Sequence, residues 1–470
     1  MFEEESNDSF SLDKVVQFER MIENESFSFF DVEDYEVIIN YYLDLEFKEK
    51  ARLAVVKGLV QHPKNLSLSL ILAEFYSMEK LYLKGIDLLN GILIINPSNR
   101  ELLMALGRLN SRQGYFKIAA DHFSKVFHSS WDYLEEETEG MLMELAYEYQ
   151  NMGNCEMAID VMQDLLRINP NNESTLLELG VAYNEVDRDS EALLFFNELV
   201  NENPYSYLAW FNLGTIYNRL SYPEESIFAF DLSIAINENF SASYYGKANV
   251  HIQRKEYRKA IDLFNETFKI EQPHSYAYCT IGECYEKIGE YDKALTFYEK
   301  SIELDSYQTD AWVGIGVVKD LKNQSIDAIK FIEKALKFEP ENAEYWYIYA
   351  EILQKLLRTN DAENAFKKVV ELEPNNIDAW IDYSNFLFEN NAPKKALSTV
   401  RTAIKNNGEE EDLSFRLIAL LLADNKLNEA SIKLHHILKK DKKTITKLFE
   451  IYPQAKDIQE IVDIIAQYKD

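Results

Sequence analysis

The chain has 470 residues and a formal net charge of −31, because 80 acidic side chains outnumber 49 basic ones. This charge repels polyanions and leaves no basic stripe for phosphate contacts, so we expect neither nucleic acid nor an anionic membrane surface as a ligand. Hydrophobic residues make up 47% of the chain, which excludes a disordered or fibrous protein and allows an extensive core.

The N-terminal segment, residues 1–29, is acidic and begins without the basic start and apolar stretch of a secretory signal. A stripe of apolar residues predicts a capping helix from about residue 11 to residue 24: Leu12, Val15, Val16 and Ile22. No apolar run in the chain approaches the roughly 20 residues that cross a bilayer. Three cysteines are too few for a disulfide framework, so we expect a cytoplasmic protein with no membrane insertion.

A period of about 34 residues begins after this segment. Positions that we call marks recur at this interval: Pro170, Pro204, Glu238, Gln272, Ser306, Pro340 and Pro374. Pro63 and Pro97, further upstream, are separated by the same interval. Because proline cannot continue a helix but can begin the next segment, these marks predict the ends of repeated helical elements.

The same side-chain sizes recur after each mark. A large residue follows after six positions: Leu176, Trp210, Tyr244, Tyr278, Trp312, Trp346 and Trp380. A small residue follows after ten: Gly180, Gly214, Ala248, Gly282, Gly316, Ala350 and Ser384. A second small residue comes after 22 positions, and a bulky one four positions later: Phe196, Phe230, Phe264, Tyr298 and Phe366. Small residues let two helices approach closely, so each period predicts a helical hairpin that must stack on its neighbours to bury its apolar stripe.

The segments AWFNLGTIYNRL with IFAFDLSIAINEN, and AYCTIGECYEKIGEYDKALTFYEKSIELD, resemble the motif of the tetratricopeptide repeat family. The resemblance implies an all-α fold, a right-handed superhelix (α-solenoid) of about twelve helix-turn-helix repeats whose first helices line the concave side. The predicted repeats fill residues 30–442: 30–63, 64–97, 98–131, 132–170, 171–204, 205–238, 239–272, 273–306, 307–340, 341–374, 375–408 and 409–442. Capping helices in 1–29 and 443–470 are expected to cover the two apolar ends.

The long fourth repeat and the C-terminal segment both differ from a regular 34-residue unit. Repeat 132–170 is five residues longer than the others, and its extra WDYLEEETEG either lengthens the first helix or forms a loop. At the C-terminus, residues 456–469 predict a capping helix with one apolar stripe: Ile458, Ile461, Val462, Ile465 and Tyr468.

No segment predicts catalysis. Gly314 and Gly316 form a GxG inside a repeat helix rather than after a strand, which argues against a dinucleotide-binding loop. Adjacent His435 and His436 point in different directions on a helix, and the sulfurs of Cys279 and Cys284 are badly spaced for one ion. We therefore expect no enzyme activity, no cofactor and no metal.

A column of mostly apolar residues lies seven positions after the marks, where the family points side chains into its groove: Leu70, Met104, Leu177, Phe211, Tyr245, Cys279, Val313, Tyr347, Ile381 and Phe415. Met143 occupies the same place in the long repeat. Such side chains either line the groove or pack against the neighbouring hairpin. We predict these partner-binding residues: Phe211, Tyr245, Tyr347, Ile381 and Phe415 from the column, with Glu283, Asp310 and Glu351 beside it. The acidic rim favours a basic ligand.

The resemblance implies a protein–protein interaction scaffold or adaptor that binds a segment of a partner protein in its concave groove. Two alternatives stay open at this point. The chain could be a self-associating structural component, or an accessory subunit of a larger enzyme complex.

Overall fold

The computed structural model describes residues 2–129, 136–440 and 445–468. Within these ranges every regular element is an α-helix, apart from one 3-10 helix at Pro453–Asp457, so the predicted all-α class is confirmed. The chain divides into two compact units, unit 1 (Met1–Gly246) and unit 2 (Lys247–Asp470). No helix in the described residues is both long and apolar enough to span a membrane.

Unit 1 opens with α1 (Phe2–Glu23) and continues as helical hairpins. The first helices of its hairpins are α2 (Val32–Asp44), α4 (Leu66–Met78), α6 (Arg100–Gln113), α8 (Glu136–Asn151), α10 (Glu173–Glu185) and α12 (Tyr207–Arg219). The second helices are α3 (Lys48–Gln61), α5 (Tyr82–Leu93), α7 (Phe116–Ser129), α9 (Cys155–Ile168), α11 (Asp189–Glu202) and α13 (Pro223–Ile236). The next first helix, α14 (Ser241–Gln253), contains the boundary between the units.

Unit 2 has the same organisation. Its remaining first helices are α16 (Ser275–Ile288), α18 (Thr309–Leu321), α20 (Ala343–Lys355), α22 (Ile377–Glu389) and α24 (Glu411–Ala423). The second helices are α15 (Tyr257–Ile270), α17 (Tyr291–Leu304), α19 (Ser325–Phe338), α21 (Thr359–Leu372), α23 (Pro393–Asn407) and α25 (Leu427–Lys440). The C-terminal elements are α26 (Ile445–Ile451), the 3-10 helix and α27 (Gln459–Ala466).

Side-chain caps start the first helices two residues after a mark. The capping side chain accepts a hydrogen bond from the backbone N–H three residues further on, as in Asn65, Asn99, Asn172, Ser206, His274, Asn342 and Asn376. Such a cap satisfies one of the free N–H groups at a helix start. In these seven hairpins the mark and its cap together set where the first helix begins.

The tryptophans that follow the marks have a second role besides filling space. The indole N–H groups of Trp210, Trp312, Trp346 and Trp380 each donate to the carbonyl oxygen of the mark six residues earlier, at 2.8 to 2.9 Å. A buried or half-buried indole N–H needs such an acceptor. The bond ties the loop between hairpins to the helix that follows it.

Bulky residues of the second helices pack between small residues of two successive first helices. Tyr298 is fully buried, and Cβ atoms added at Gly282 or Gly314 would overlap its ring. Phe230 has the same relation to Gly214 and Gly246. The glycines of the GxG sequence therefore allow close packing, since Gly314 admits Tyr298 and Gly316 admits Ile332.

The two chain ends differ in detail from the prediction. Helix α1 begins at Phe2 and buries Val15, Phe18 and Met21 against unit 1, whereas Leu12 and Val16 are exposed. Helix α27 buries Ile461, Ile464 and Ile465, whereas Val462 is 39% exposed. Both stripes are rotated relative to the predicted ones, because the neighbouring helix determines which of several apolar residues turn inward.

The structure describes only part of the insertion in the long repeat. Residues 130–135, which include the start of WDYLEEETEG, lie outside the described residues. Helix α8 begins at Glu136 within that insertion and has 16 residues, against 13 in α10 and α12. The first helix of this repeat is therefore lengthened.

Candidate functional site: the inner faces of the first helices

First helices of successive hairpins contact one another in both units. These contacts join α4 to α6 and α10 to α12 in unit 1, and α16 to α18, α18 to α20 and α22 to α24 in unit 2. We call the accessible surface along these helices the inner face of each unit. Side chains from consecutive repeats lie side by side there, as a binding groove requires.

A polar contact recurs along the inner faces between residues 35 positions apart. In unit 2, near the ends of first helices, Lys355 contacts Asp320, and Glu389 accepts a hydrogen bond from Gln354. In unit 1 the equivalent pairs are Arg219 with Asn184 and Arg112 with Ser77. The residues in these contacts lie 14 and 15 positions after consecutive marks. The repeat geometry therefore brings these two positions together whatever residues occupy them.

The predicted column divides into accessible and buried members. Its half-buried members are Leu70, Met104, Phe211, Tyr245, Tyr347 and Ile381, and Leu177 is exposed. Its buried members are Met143, Cys279, Val313 and Phe415. Column position alone therefore does not decide whether a side chain can reach a partner.

Phe415 requires a correction, because its side chain is 0% exposed and cannot act as a partner-binding anchor. Helix α24 is contacted by α22, α23, α25 and α26. Residues 413–422 of α24 are all buried. A helix enclosed on several sides buries even the position that faces the groove in earlier repeats.

Tyr347 lies at the centre of the acidic part of the unit 2 inner face. Its hydroxyl donates to Asp382 Oδ2 at 2.9 Å. Burial raises the pKa of Tyr347, and the hydrogen bond to the Asp382 carboxylate adds to the shift. Burial also raises the pKa of the Glu351 carboxyl, with further contributions from the negative charges of Asp382 and Asp320.

A shallow cavity of about 340 Å³ opens beside Tyr347, between α20 and α22. Four acidic side chains line it: Glu344, Glu373, Asp378 and Asp382. None of its lining residues, all within the described part of the chain, is a lysine or arginine. The half-buried Ile381 follows on the same helix, so the cavity adjoins both apolar and anionic groups.

Glu283 and Asp310 lie together further toward the start of unit 2. The Glu283 side chain as a whole is accessible, but protein surrounds much of its carboxyl group. This burial, together with the negative charge of Asp310, raises the pKa of Glu283. Asp310 accepts a hydrogen bond of 2.6 Å from the Tyr345 hydroxyl. Burial raises the pKa of the neighbouring Cys279 thiol as well, which leaves that group protonated and inert.

Phe211 and Tyr245 belong to unit 1 and lie apart from this acidic region in the chain. The Phe211 ring contacts Phe240 and Phe230, with centroids 5.2 and 5.9 Å away. Tyr245 is half-buried on α14. Phe211 is therefore mainly a packing residue, although it remains half-buried rather than fully enclosed.

The histidine pair has separate partners. His435 Nδ1 lies 3.1 Å from the Tyr468 hydroxyl, whereas His436 Nε2 lies 3.8 Å from Glu409 Oε2. Across the described residues, no group of three or more His, Cys, Asp or Glu side chains is arranged to hold a metal ion.

Asp382 is the member of this site that the sequence pattern did not single out. It lies eight positions after its mark, where other repeats carry Glu178, Asn212, Gly246, Thr280, Gly314 and Ile348. Because this position ranges from glycine to a charged residue, the repeat pattern alone gives no signal that identifies Asp382. Its partner Tyr347 lies 35 residues upstream, the same separation as in the recurring polar contact.

Family models match three parts of the chain. The tetratricopeptide repeat model matches residues 140–172, the model of anaphase-promoting complex, cyclosome, subunit 3 matches residues 222–301, and the PRP39 N-terminal HAT repeat model matches residues 296–420. A search of the curated proteins finds no match.

Solved structures with similar folds are related to this chain only distantly. The Cut9–Hcn1 hetero-tetramer of the APC/C is 15% identical with a TM-score of 0.43, and the match covers 83% of this chain and 97% of that one. A tetratricopeptide repeat protein from Parabacteroides merdae is 15% identical with a TM-score of 0.42, covering 57% and 99%. YrrB, described as a TPR protein with an unusual peptide-binding site, is 17% identical with a TM-score of 0.32, covering 39% and 95%.

These structural likenesses are too weak to assign a partner or an activity. The family rests instead on the sequence motif, on the match at residues 140–172 and on the stacked helical hairpins of both units. On these grounds the predicted recognition is confirmed: the chain is built of tetratricopeptide-type helical hairpins and is similar to the tetratricopeptide repeat family.

Proposed function

We propose that this chain is a non-catalytic protein-interaction scaffold, and that the inner face of unit 2 binds an extended basic segment of a partner protein. The observation that carries the proposal is the cavity beside Tyr347, which four carboxylates line. An extended segment placed there could put an apolar side chain against Tyr347 and Ile381 and a cationic one beside Asp378 and Asp382.

The charge along the inner face supports a basic ligand. Acidic groups on α16, α18, α20 and α22 include Glu283, Glu286, Asp310, Asp320, Glu351, Asp378 and Asp382. The cations nearby are engaged with carboxylates, since Lys287 lies 3.2 Å from Glu286 and Lys355 lies 3.1 Å from Asp320. The excess of negative charge attracts cationic segments and speeds their association.

The aromatic side chain supplies the apolar part of the contact. Tyr347 packs edge-on against Phe366, with ring centroids 6.0 Å apart, and its hydroxyl is held by Asp382. A rigid, half-buried tyrosine loses little conformational freedom on binding, which is why tyrosines are enriched among interface anchors. Tyr347 is therefore the residue that we expect to contribute most to affinity.

The proposal is tested with a fluorescein-labelled basic peptide, Lys-Leu-Lys-Lys-Phe-Lys, titrated with the full chain and followed by fluorescence anisotropy. We expect Asp382→Asn to weaken binding by about tenfold, because it removes a carboxylate from the cavity wall. The matched control is Asp327→Asn. Asp327 lies on the second helix α19 rather than on the inner face, and its carboxylate is 2.9 Å from Lys330 Nζ. Equal affinity of the two variants would contradict the proposal.

Self-association is a second candidate that one observation favours. Leu53, Val56 and Val60 form an exposed stripe on α3, and Val60 is 73% exposed. Phe27 and Phe29, in the loop that hydrogen bonds to the end of α3, are 81% and 66% exposed. Exposed apolar residues that cluster often mark protein contacts. A Val60→Lys variant should then lower the mass measured by light scattering at high protein concentration.

A further inference from the structure

A second and larger cavity, of about 720 Å³, lies within unit 1 among α4, α6 and α8. Its apolar lining is rich in methionine: Leu70, Met78, Met104 and Met141. Methionine side chains are flexible and polarisable, so such a surface adapts to apolar side chains of different shapes. The volume is in the range of sites that enclose small ligands or several side chains of a peptide.

Three arginines of one helix line this cavity. Arg100, Met104, Arg108 and Arg112 follow at intervals of four along α6, which places them on one side of the helix. Glu74 and Glu101 are the acidic lining residues, and Glu144 on α8 pairs with Arg108. In a chain with a net charge of −31, three arginines on one side of one helix are a local concentration of cations that could serve an anionic ligand.

Two of these arginines, Arg108 and Arg112, can still interact with a ligand. Arg108 Nε donates to both oxygens of Glu144, at 2.8 and 3.1 Å, but the Arg108 side chain is 56% exposed and such a pair is easily exchanged. Arg112 is exposed, and among the described residues it donates to a neutral group, the Ser77 hydroxyl. The guanidinium of Arg112 therefore keeps its charge and further N–H donors for a ligand.

We propose that this cavity binds an acidic segment of a partner protein in which apolar residues alternate with Asp or Glu. A ligand carboxylate would accept hydrogen bonds from Arg108 and Arg112, one helical turn apart, while its apolar side chains lie on the methionines. This surface is additional to the proposed basic-ligand site of unit 2, and it selects the opposite charge. A single chain would then hold two partners of different composition.

The choice of a protein segment over another polyanion follows from the lining of the cavity. Nucleic acid binding needs several neighbouring cations that release counterions from many phosphates. Among the described lining residues the cations all come from one helix, and Glu74 and Glu101 lie beside them. A short acidic segment with apolar residues fits both the small number of arginines and the methionine-rich lining of the cavity.

The test uses the full chain and a fluorescein-labelled acidic peptide, Asp-Leu-Asp-Asp-Phe-Asp, which differs from the basic peptide only in its charged residues. We expect saturable binding that weakens when the salt concentration rises from about 50 mM to about 500 mM. Arg112→Gln should weaken binding by about tenfold. Glu74→Gln should tighten it by about threefold, because that substitution removes a repelling carboxylate from the cavity.

Several outcomes would overturn this proposal. It is wrong if the acidic peptide does not bind, if Arg112→Gln and Glu74→Gln change affinity in the same direction, or if a peptide with serine in place of leucine and phenylalanine binds equally well. Displacement of the peptide by a short oligothymidylate would show that the arginines bind polyanions in general. Failure of the basic peptide to bind concerns unit 2 alone, so the two proposals fail separately. Circular dichroism of the variants controls for folding.

Discussion

Lys355 in unit 2 and Arg112 in unit 1 occupy the same place in the repeat, 15 positions after a mark, yet one contacts a charged group and the other a neutral one. Each reaches the residue 35 positions upstream on the preceding first helix. For Lys355 that residue is Asp320, with both carboxylate oxygens 3.1 Å from Nζ. For Arg112 it is Ser77, which cannot neutralise a charge.

The difference shows how one scaffold can carry sites for different ligands. The contact geometry belongs to the repeat, because the same two positions meet in both units. The charge left over for a partner depends on which residues stand there. Unit 2 has its lysine neutralised and keeps an acidic inner face, whereas unit 1 keeps an arginine that is available to an anion.

The largest expected effect comes from breaking the packing that underlies the inner face of unit 2. A methyl group at Gly314 would overlap the buried ring of Tyr298. We expect Gly314→Ala to lower the free energy of unfolding by about 2 kcal/mol, measured by urea denaturation and circular dichroism. The matched control in unit 1 is Gly91→Ala on α5, where an added Cβ meets nothing within 4 Å. The control should raise stability by about 0.5 to 1 kcal/mol, since alanine favours helix more than glycine does.

Ser77→Asp should convert the unit 1 contact into the unit 2 type. The new carboxylate would pair with Arg112 as Asp320 pairs with Lys355. We expect the acidic peptide to bind about tenfold more weakly, with no change in the affinity of the basic peptide. The reciprocal Asp320→Ser releases Lys355 and should weaken only the basic peptide. The comparison fails if either substitution alters both affinities equally.

A smaller effect is expected at the turn between the two helices of a hairpin. Equivalent turn positions have a φ of 84° at Gly114 in unit 1 and of 59° at Leu357 in unit 2. Glycine adopts that conformation without penalty, whereas a residue with a side chain does so at a cost of about 1 kcal/mol. Leu357 is 86% exposed, so Leu357→Gly removes little packing. By urea denaturation, the substitution should raise the free energy of unfolding by about 1 kcal/mol and leave the affinity of both peptides unchanged.

The smallest expected effect is a difference in pH dependence between the two inner faces. The pKa values of Glu283 and Glu351 are raised by burial and by neighbouring carboxylates. Lowering the pH protonates such groups before ordinary carboxyls, and the lost negative charge weakens attraction for a cation. Between about pH 7 and about pH 5 the basic peptide should lose affinity by about threefold. Glu283→Gln with Glu351→Gln should flatten this profile, and an unchanged slope in that double variant would contradict the assignment.

The repeat itself could be predicted because its determinants are local and periodic. Residues such as Gly282 and Tyr298 recur at constant distances from a mark, so the helical hairpins and their approximate count follow from spacing. The partner-binding set was harder to predict. Tyr347 and Ile381 remain accessible, but Phe415 at the same repeat position is fully buried. The sequence of that helix does not show that four other helices contact it.

The period, the all-α class and the resemblance to the tetratricopeptide repeat family follow from the amino-acid order alone, because a repeated hairpin needs only neighbours of its own kind to bury its apolar stripe. Which groove positions stay open and which charges stay unneutralised depends on the folded arrangement. Those properties belong to pairs such as Arg112 with Ser77 and Lys355 with Asp320, which lie on different helices. Side chains 35 residues apart meet only once the hairpins have stacked, so their joint effect on a ligand is a property of the assembled repeat.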